Sequence, residues 1–299
     1  MYDLFADEDH GMLRMSVLDH LEELRSRILR ALAGWGVAFL LCTVFAHELW
    51  RVVTAPAASA LTAIGIPDGK LIQTSPFEAF NILWVKTPFV ASLFLAAPWV
   101  MYQVWAFIAP GLYARERRLA APFIASTAGL FLGGGAFAYF IALPRSLAFL
   151  LGIGRGEISV LVTVTEYFEV FVNVVLGVAL VFELPVLIVF LTLLRIATPG
   201  FLLRNARYAI LAILIVAAAV TQTTDAFNMM LFAVPLCVLY FVGVFTSYVL
   251  VLRRENRGFP RKALFIGAAV FLALTGCVVI LAGLKYGYHF MRHWPFPGR

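Results

Sequence analysis

Seven apolar runs divide the sequence and constrain its fold more than any other feature. They occupy residues 28–46, 78–98, 122–143, 167–194, 208–221, 226–252 and 263–284. A transmembrane helix needs about 17–25 predominantly apolar residues, which most of these runs supply. With 62% hydrophobic and only 13% charged residues, the chain is too apolar for a soluble globular domain. The sequence therefore predicts an all-α polytopic membrane protein.

The fifth run, 208–221, is the shortest of the seven. At 1.5 Å per residue it covers about 21 Å of a hydrocarbon core that is roughly 30 Å thick. We therefore expect it to form a short hairpin with the sixth run and to depend on its neighbours.

The connections between the apolar runs are alternately rich and poor in lysine and arginine. With the amino terminus placed inside, the cytoplasmic segments carry fifteen of them and the outer loops carry four. Because basic loops stay in the cytoplasm, this bias predicts a cytoplasmic amino terminus. The tail after residue 284 departs from the rule if the seventh run crosses the membrane, since it carries Lys285, Arg292 and Arg299.

The predicted organisation has three parts. Residues 1–27 form a cytoplasmic segment with an amphipathic helix, residues 28–252 form a six-span membrane domain, and residues 253–299 form a basic linker, a seventh span and a short tail. The large outer loops, 48–75 and 144–165, contain Gly and Pro turn sequences. Residues 98–112 are rich in aromatic side chains and predict a short helix along the cytoplasmic headgroups.

Several function classes are excluded by the composition and by the motifs that are missing. The net charge of +6 is spread over short loops, which is not the pattern of a nucleic-acid-binding face. Zinc-protease, nucleophile-elbow and phosphate-loop motifs do not occur. Cys42, Cys237 and Cys277 lie inside apolar runs without paired spacing, as packing residues do. We therefore expect no catalytic residue, no metal and no cofactor.

Two acidic positions on the cytoplasmic side are candidates for binding a basic peptide. Glu23 precedes the first apolar run, and Glu116 stands among three arginines that follow the second. Glu23 can alternatively pair with Arg27 at the i, i+4 spacing of a helix. Glu116 can alternatively pair with its flanking arginines.

Two further carboxylates lie inside or beside apolar runs. Glu183 is deep in the fourth run, where a buried charge is expensive and is usually kept for a task. Pro185 should bend the helix beside it. The alternative is that Glu183 hydrogen-bonds a neighbouring helix and fixes packing. Asp225 is either an outer-turn site or the N-cap of the sixth helix.

An ordered series of motifs resembles TatC, the polytopic core subunit of the twin-arginine protein translocase. The block Tyr-Gln-Val-Trp-Ala-Phe-Ile-Ala-Pro-Gly-Leu-Tyr at 102–113 is the most specific of them. The others are His-Leu-Glu-Glu-Leu-Arg-Ser-Arg at 20–27, Ala-Pro at 55–56, Ser-Pro-Phe-Glu-Ala-Phe at 75–80, Ala-Pro at 97–98, Glu-Arg-Arg at 116–118, Phe-Ala-Tyr-Phe at 137–140 and Phe-Glu-Leu-Pro at 182–185.

The resemblance implies a six-span concave helical bundle in the plasma (inner) membrane, here with an extra C-terminal transmembrane helix. It implies binding of the twin-arginine signal peptides of folded cargo, oligomeric assembly with the single-span TatA and TatB subunits, and energy from the proton gradient. Carried over by motif, Glu23 and Glu116 recognise the signal, Phe107 supports them and Glu183 is the family's intramembrane glutamate. The expected kinks or turns are at Pro56, Pro98, Pro110 and Pro185.

The chain departs from the family pattern near the sixth run. It has Gln-Thr-Thr-Asp at 222–225 where TatC usually has Thr-Pro-Pro-Asp, Met229 in place of a glutamine, and Phe241 in place of a glutamate. These changes bear on the TatA and TatB contacts and not on signal binding. A secondary transporter or channel that uses Glu183, and a structural membrane scaffold, are the two alternative functions.

Overall fold

The computed structural model describes residues 17–66, 71–108, 120–153, 161–221 and 225–254, and two short segments at 289–290 and 297–298. The described part is almost entirely helical. Its α-helices are α1 (Val17–Val44), α2 (Ala46–Ala63), α3 (Pro76–Asn81), α4 (Thr87–Ile108), α5 (Ala120–Phe137), α6 (Leu143–Gly152), α7 (Val164–Val181), α8 (Leu184–Leu193), α9 (Pro199–Arg204), α10 (Ala206–Thr221) and α11 (Ala226–Arg254). Two π-helical turns, Ile82–Lys86 and Ala138–Ala142, join α3 to α4 and α5 to α6. Strands β1 (His289–Phe290) and β2 (Pro297–Gly298) pair antiparallel.

Five of the predicted spans are present among the described residues. The first, second, third, fourth and sixth spans are Leu18–Val44, Pro76–Ile108, Pro122–Gly152, Val164–Leu193 and Ala226–Leu252. The fifth run forms the shorter apolar helix Ala206–Thr221, as its length predicted. The seventh run, 263–284, lies outside the described residues.

One expectation about the connections was wrong. Residues 98–108 do not form a separate interfacial helix, because α4 continues without interruption to Ile108. It passes through Pro98, where the second apolar run was predicted to end. Within the predicted outer loop 48–75, the helix α2 occupies Ala46–Ala63 and contains Pro56, a position where a kink or turn was expected.

The first helix packs lengthwise against α4 and is continuous across the predicted boundary at residue 27. Gly34 allows the close approach, since a Cβ there would lie 2.2 Å from the Trp99 ring. The Trp99 indole donates to the carbonyl of Arg30 at 2.9 Å, and the Trp35 indole donates to the Ser92 hydroxyl at 2.8 Å. These contacts fix the position of α1, and with it the carboxylates near its amino-terminal end.

The amino-terminal ends of the second and fourth spans are tied together at one level. The Glu78 carboxylate accepts hydrogen bonds from the backbone N–H groups of Thr74 at 3.1 Å and Thr165 at 2.9 Å, and from both threonine hydroxyls. A parallel bridge pairs Ile72 with Thr163 just above this point. Both spans begin near this contact and run in the same direction from it, so equal residue counts from Glu78 and Thr165 reach similar depths.

Two tyrosines stabilise the proline-containing helix α2. Pro56 has no N–H, so the carbonyl of Val52 loses its helical partner. The Tyr139 hydroxyl donates to that carbonyl at 2.8 Å, and the buried Tyr167 hydroxyl donates to the carbonyl of Val53 at 2.5 Å. The third and fourth spans thereby hold α2 in place.

Replacing Tyr167 with phenylalanine should lower the free energy of unfolding by about 1–2 kcal/mol, because a buried hydrogen bond is lost while the ring is kept. Thermal unfolding in detergent measures the effect. Tyr248→Phe is the control, since that side chain is exposed and its substitution should leave the midpoint unchanged. Equal midpoints for wild type and Tyr167→Phe would show that the bond does not hold α2.

Candidate functional site

The start of α1 and the end of α4 bring together groups that sequence analysis assigned to peptide binding. Arg27 donates to Glu23 Oε1 at 3.3 Å, and its other terminal nitrogen donates to Gln103 Oε1 at 3.4 Å. One turn further along each helix, the rings of His20 and Phe107 stack with their centroids 4.5 Å apart. The predicted i, i+4 pair of Glu23 and Arg27 is therefore confirmed, and it is part of a larger arrangement.

The two carboxylate oxygens of Glu23 have different surroundings. Oε1 accepts from Arg27, whereas Oε2 is buried and has no hydrogen-bond partner among the described residues. The Glu23 side chain as a whole is 18% exposed. A buried carboxylate oxygen without a donor is costly, so a donor that reached this atom would be favourable.

Gln103 is a site residue that sequence reasoning missed. Gln103 is 2% exposed, so it lies on the buried face of α4, one turn before Phe107. By accepting from Arg27 it orients the guanidinium that in turn orients Glu23. The sequence does carry a signal for this residue. Gln103 is a lone amide in an otherwise apolar stretch, and its spacing of four residues from Phe107 places both on one helix face.

Glu116 and Pro110 lie outside the described residues. The structure places Phe107 in the last turn of α4, immediately before the segment that carries both of them. Of the three residues predicted to bind the signal, it therefore brings Glu23 and Phe107 to one end of the bundle, through the His20 stack.

Glu183 lies where the fourth span breaks into two helices. The helix α7 ends at Val181, Glu183 is the N-cap residue of α8, and Pro185 is buried in the first turn of α8. The fourth span is thus interrupted directly before Pro185. Glu183 Oε1 is buried and accepts no hydrogen bond within the described part of the chain.

A cleft of about 420 Å³ opens beside Pro185. The third span, α8 and the sixth span form its walls, which are mostly apolar and include Phe123, Leu130 and Leu239, with the hydroxyls of Ser126 and Thr246. The sixth span approaches closely above it, because a Cβ at Gly243 would lie 2.7 Å from the Cα of Pro185. The interruption at Glu183 thus adjoins a concave apolar surface.

Asp225 is the N-cap of the sixth span. Its Oδ1 accepts from the backbone N–H of Asn228 at 2.7 Å, and its Oδ2 accepts from the Asn228 side-chain amide at 2.8 Å. Of the two alternatives for this residue, the geometry supports the helix cap.

Comparison with known proteins identifies relatives across most of the chain. Residues 19–235 match the family model described as TatC, Sec-independent protein translocase protein. The Sec-independent protein translocase protein TatC of Koribacter versatilis (strain Ellin345) is 43% identical over 249 residues, which are 83% of this chain and 90% of the relative. The protein of that name from Escherichia coli (strain K12) is 34% identical over 241 residues, covering 81% and 91%. A crystal structure of the twin-arginine translocase receptor TatC in DDM superimposes with a TM-score of 0.67 at 30% identity, covering 76% of this chain and 99% of that one.

Proposed function

The chain belongs to the TatC family of Sec-independent protein translocase proteins, and from this premise we propose that it binds twin-arginine signal peptides through Glu23 and Glu116. The observation that carries the proposal is the state of the Glu23 carboxylate. One oxygen is held by Arg27, while the other is buried without a partner among the described residues. A guanidinium from a signal peptide supplies the missing donor.

Arginine suits such a site better than lysine. Its guanidinium is planar and carries five N–H donors, so it bonds two acceptors in fixed geometry, whereas the lysine ammonium is a strongly hydrated point charge. Consecutive arginines would engage two separate carboxylates, Glu23 on α1 and Glu116 after α4. Phe107, stacked on His20, supports the surface beside them.

The same proposal places the amino terminus in the cytoplasm and the protein in the plasma (inner) membrane. The distribution of Lys and Arg between the connections supports this orientation. After the arginines dock, the apolar segment of the signal enters the concave surface beside Glu183 and Pro185. Single-span subunits of the TatA and TatB type then join, and the proton gradient drives transport.

A binding comparison tests the proposal. The protein in nanodiscs is titrated with a signal peptide that carries Arg-Arg and with the same peptide carrying Lys-Lys. Loss of charge-assisted hydrogen bonds worth about 1.5–3 kcal/mol should weaken the Lys-Lys peptide by roughly tenfold or more. Higher salt should weaken the Arg-Arg peptide, because part of the contact is exposed to solvent. Equal affinities for the two peptides would contradict a receptor for twin arginines.

A further inference from the structure

The open face of the fourth span carries polar side chains at membrane depth. Glu169 and Asn173 are both exposed, and Leu180 on the same face is 62% exposed. Residues four and seven apart lie on one side of a helix, so the three form a single stripe. Neither Glu169 nor Asn173 forms a hydrogen bond or an ion pair with another residue that the structure describes. A carboxylate and an amide facing hydrocarbon would be costly.

The second span carries a cation at a matching depth. Lys86 is half-buried in the π-helical turn Ile82–Lys86 and has no ion pair within the described ranges. It follows Glu78 by eight residues, and Asn173 follows Thr165 by eight residues. Because Glu78 and Thr165 are hydrogen-bonded to each other, Lys86 and Asn173 lie at about the same level, some 12 Å inward.

The flexible stem of lysine directs its ammonium toward the nearer membrane surface. For Lys86 that direction is outward, toward the level of Glu169, which lies one turn above Asn173. Within one chain the third span packs between the second and fourth spans. Lys86 and Glu169 therefore lie at similar depths and carry opposite charges, but within one chain the third span separates them.

We propose that the fourth-span stripe is an interface for a second copy of this chain, in which Lys86 of one copy pairs with Glu169 and Asn173 of the next. Each copy then offers one donor surface and one acceptor surface. Such a contact joins unlike surfaces head to tail, and it forms a ring where the rotation closes. It extends the proposed function by naming the surface through which copies assemble. It does not depend on peptide binding, so a Glu23 variant should retain it.

Disulfide crosslinking between differently tagged copies tests the contact. Cys42, Cys237 and Cys277 are first replaced by alanine. One copy then carries Lys86→Cys and the other carries Glu169→Cys or Asn173→Cys, and membranes that contain both are oxidised. The expected result is a shift from monomer to a dimer that carries both tags.

Two controls make every outcome decisive. In the first control, Met230→Cys takes the place of Glu169→Cys or Asn173→Cys. Met230 is 50% exposed but lies on another span, close to the outer end of the sixth. A chain with Thr192→Cys and Ser247→Cys reports folding, since those hydroxyl oxygens are 2.6 Å apart. The proposal fails if membranes that form the 192–247 disulfide give no dimer between the two copies. It also fails if Met230→Cys gives as much dimer.

Charge reversal provides a second and independent measurement. Lys86→Glu and Glu169→Lys should each lower the apparent mass of the assembly on a native gel, and the chain that carries both changes should restore it. A double variant that remains at the lower mass would overturn the pairing.

Discussion

Replacing Glu23 with alanine is expected to abolish export of cargo that carries a twin-arginine signal. The substitution removes the carboxylate whose Oε2 lacks a hydrogen-bond donor among the described residues, and it leaves Arg27 to repel an incoming arginine. We expect signal-peptide binding to fall at least about tenfold, the equivalent of one charge-assisted hydrogen bond. Export of a reporter in cells and peptide binding in nanodiscs measure the two effects.

The control for this prediction is the neighbouring carboxylate. Glu22→Ala removes the same charge one residue away, from an exposed position. It should leave export and binding close to wild type. If Glu22→Ala and Glu23→Ala are equally impaired, the segment acts through its net charge and not through a defined site.

Replacing Glu183 with alanine should separate docking from the later steps. Glu183 lies inside the fourth span, at the N-cap of α8, and contacts none of the described groups around Glu23. Peptide binding should therefore remain within about twofold of wild type, the size of effect expected for a separate site. Export should be lost, because the concave surface beside Pro185 loses its only carboxylate among the described lining and cap residues. Measuring binding and export on the same preparation shows the separation.

Glu183→Gln decides between the two roles considered for this side chain. Glutamine keeps the size and the hydrogen-bonding capacity but not the charge. If the charge is needed, the glutamine variant fails in export as the alanine variant does. Full export by Glu183→Ala would show that Glu183 serves packing only.

The spans could be predicted from sequence because each apolar run is longer than a soluble helix requires and is bounded by charged residues. The weak fifth run also behaved as its length predicted, since Ala206–Thr221 is the short helix of the set. A proline caused the error in the second span. Pro98 was predicted to end the second apolar run, but α4 continues through it to Ile108. The Tyr139 and Tyr167 hydroxyls that support α2 come from two other spans, so no local pattern reveals them.

The candidate site was predicted in part for a similar reason. Glu23 and Arg27 are four residues apart on one helix, and a local rule is sufficient to pair them. Gln103 is 76 residues from Arg27, and only the packing of α1 along α4 brings the two together. The Lys86 match to Glu169 likewise depends on the Glu78 bond to Thr165, which sets the relative depth of two spans.

The most direct measurement of the central claim is a double-mutant cycle between the signal peptide and Glu23. The Arg-Arg and Lys-Lys peptides are each titrated against wild type and Glu23→Gln in nanodiscs, which gives four dissociation constants. If Glu23 reads the arginines, the preference for Arg-Arg shrinks in the variant, with a coupling energy of about 0.5–3 kcal/mol, as contacting residues show. A preference that is unchanged in Glu23→Gln would show that the arginines are recognised elsewhere and would contradict the account.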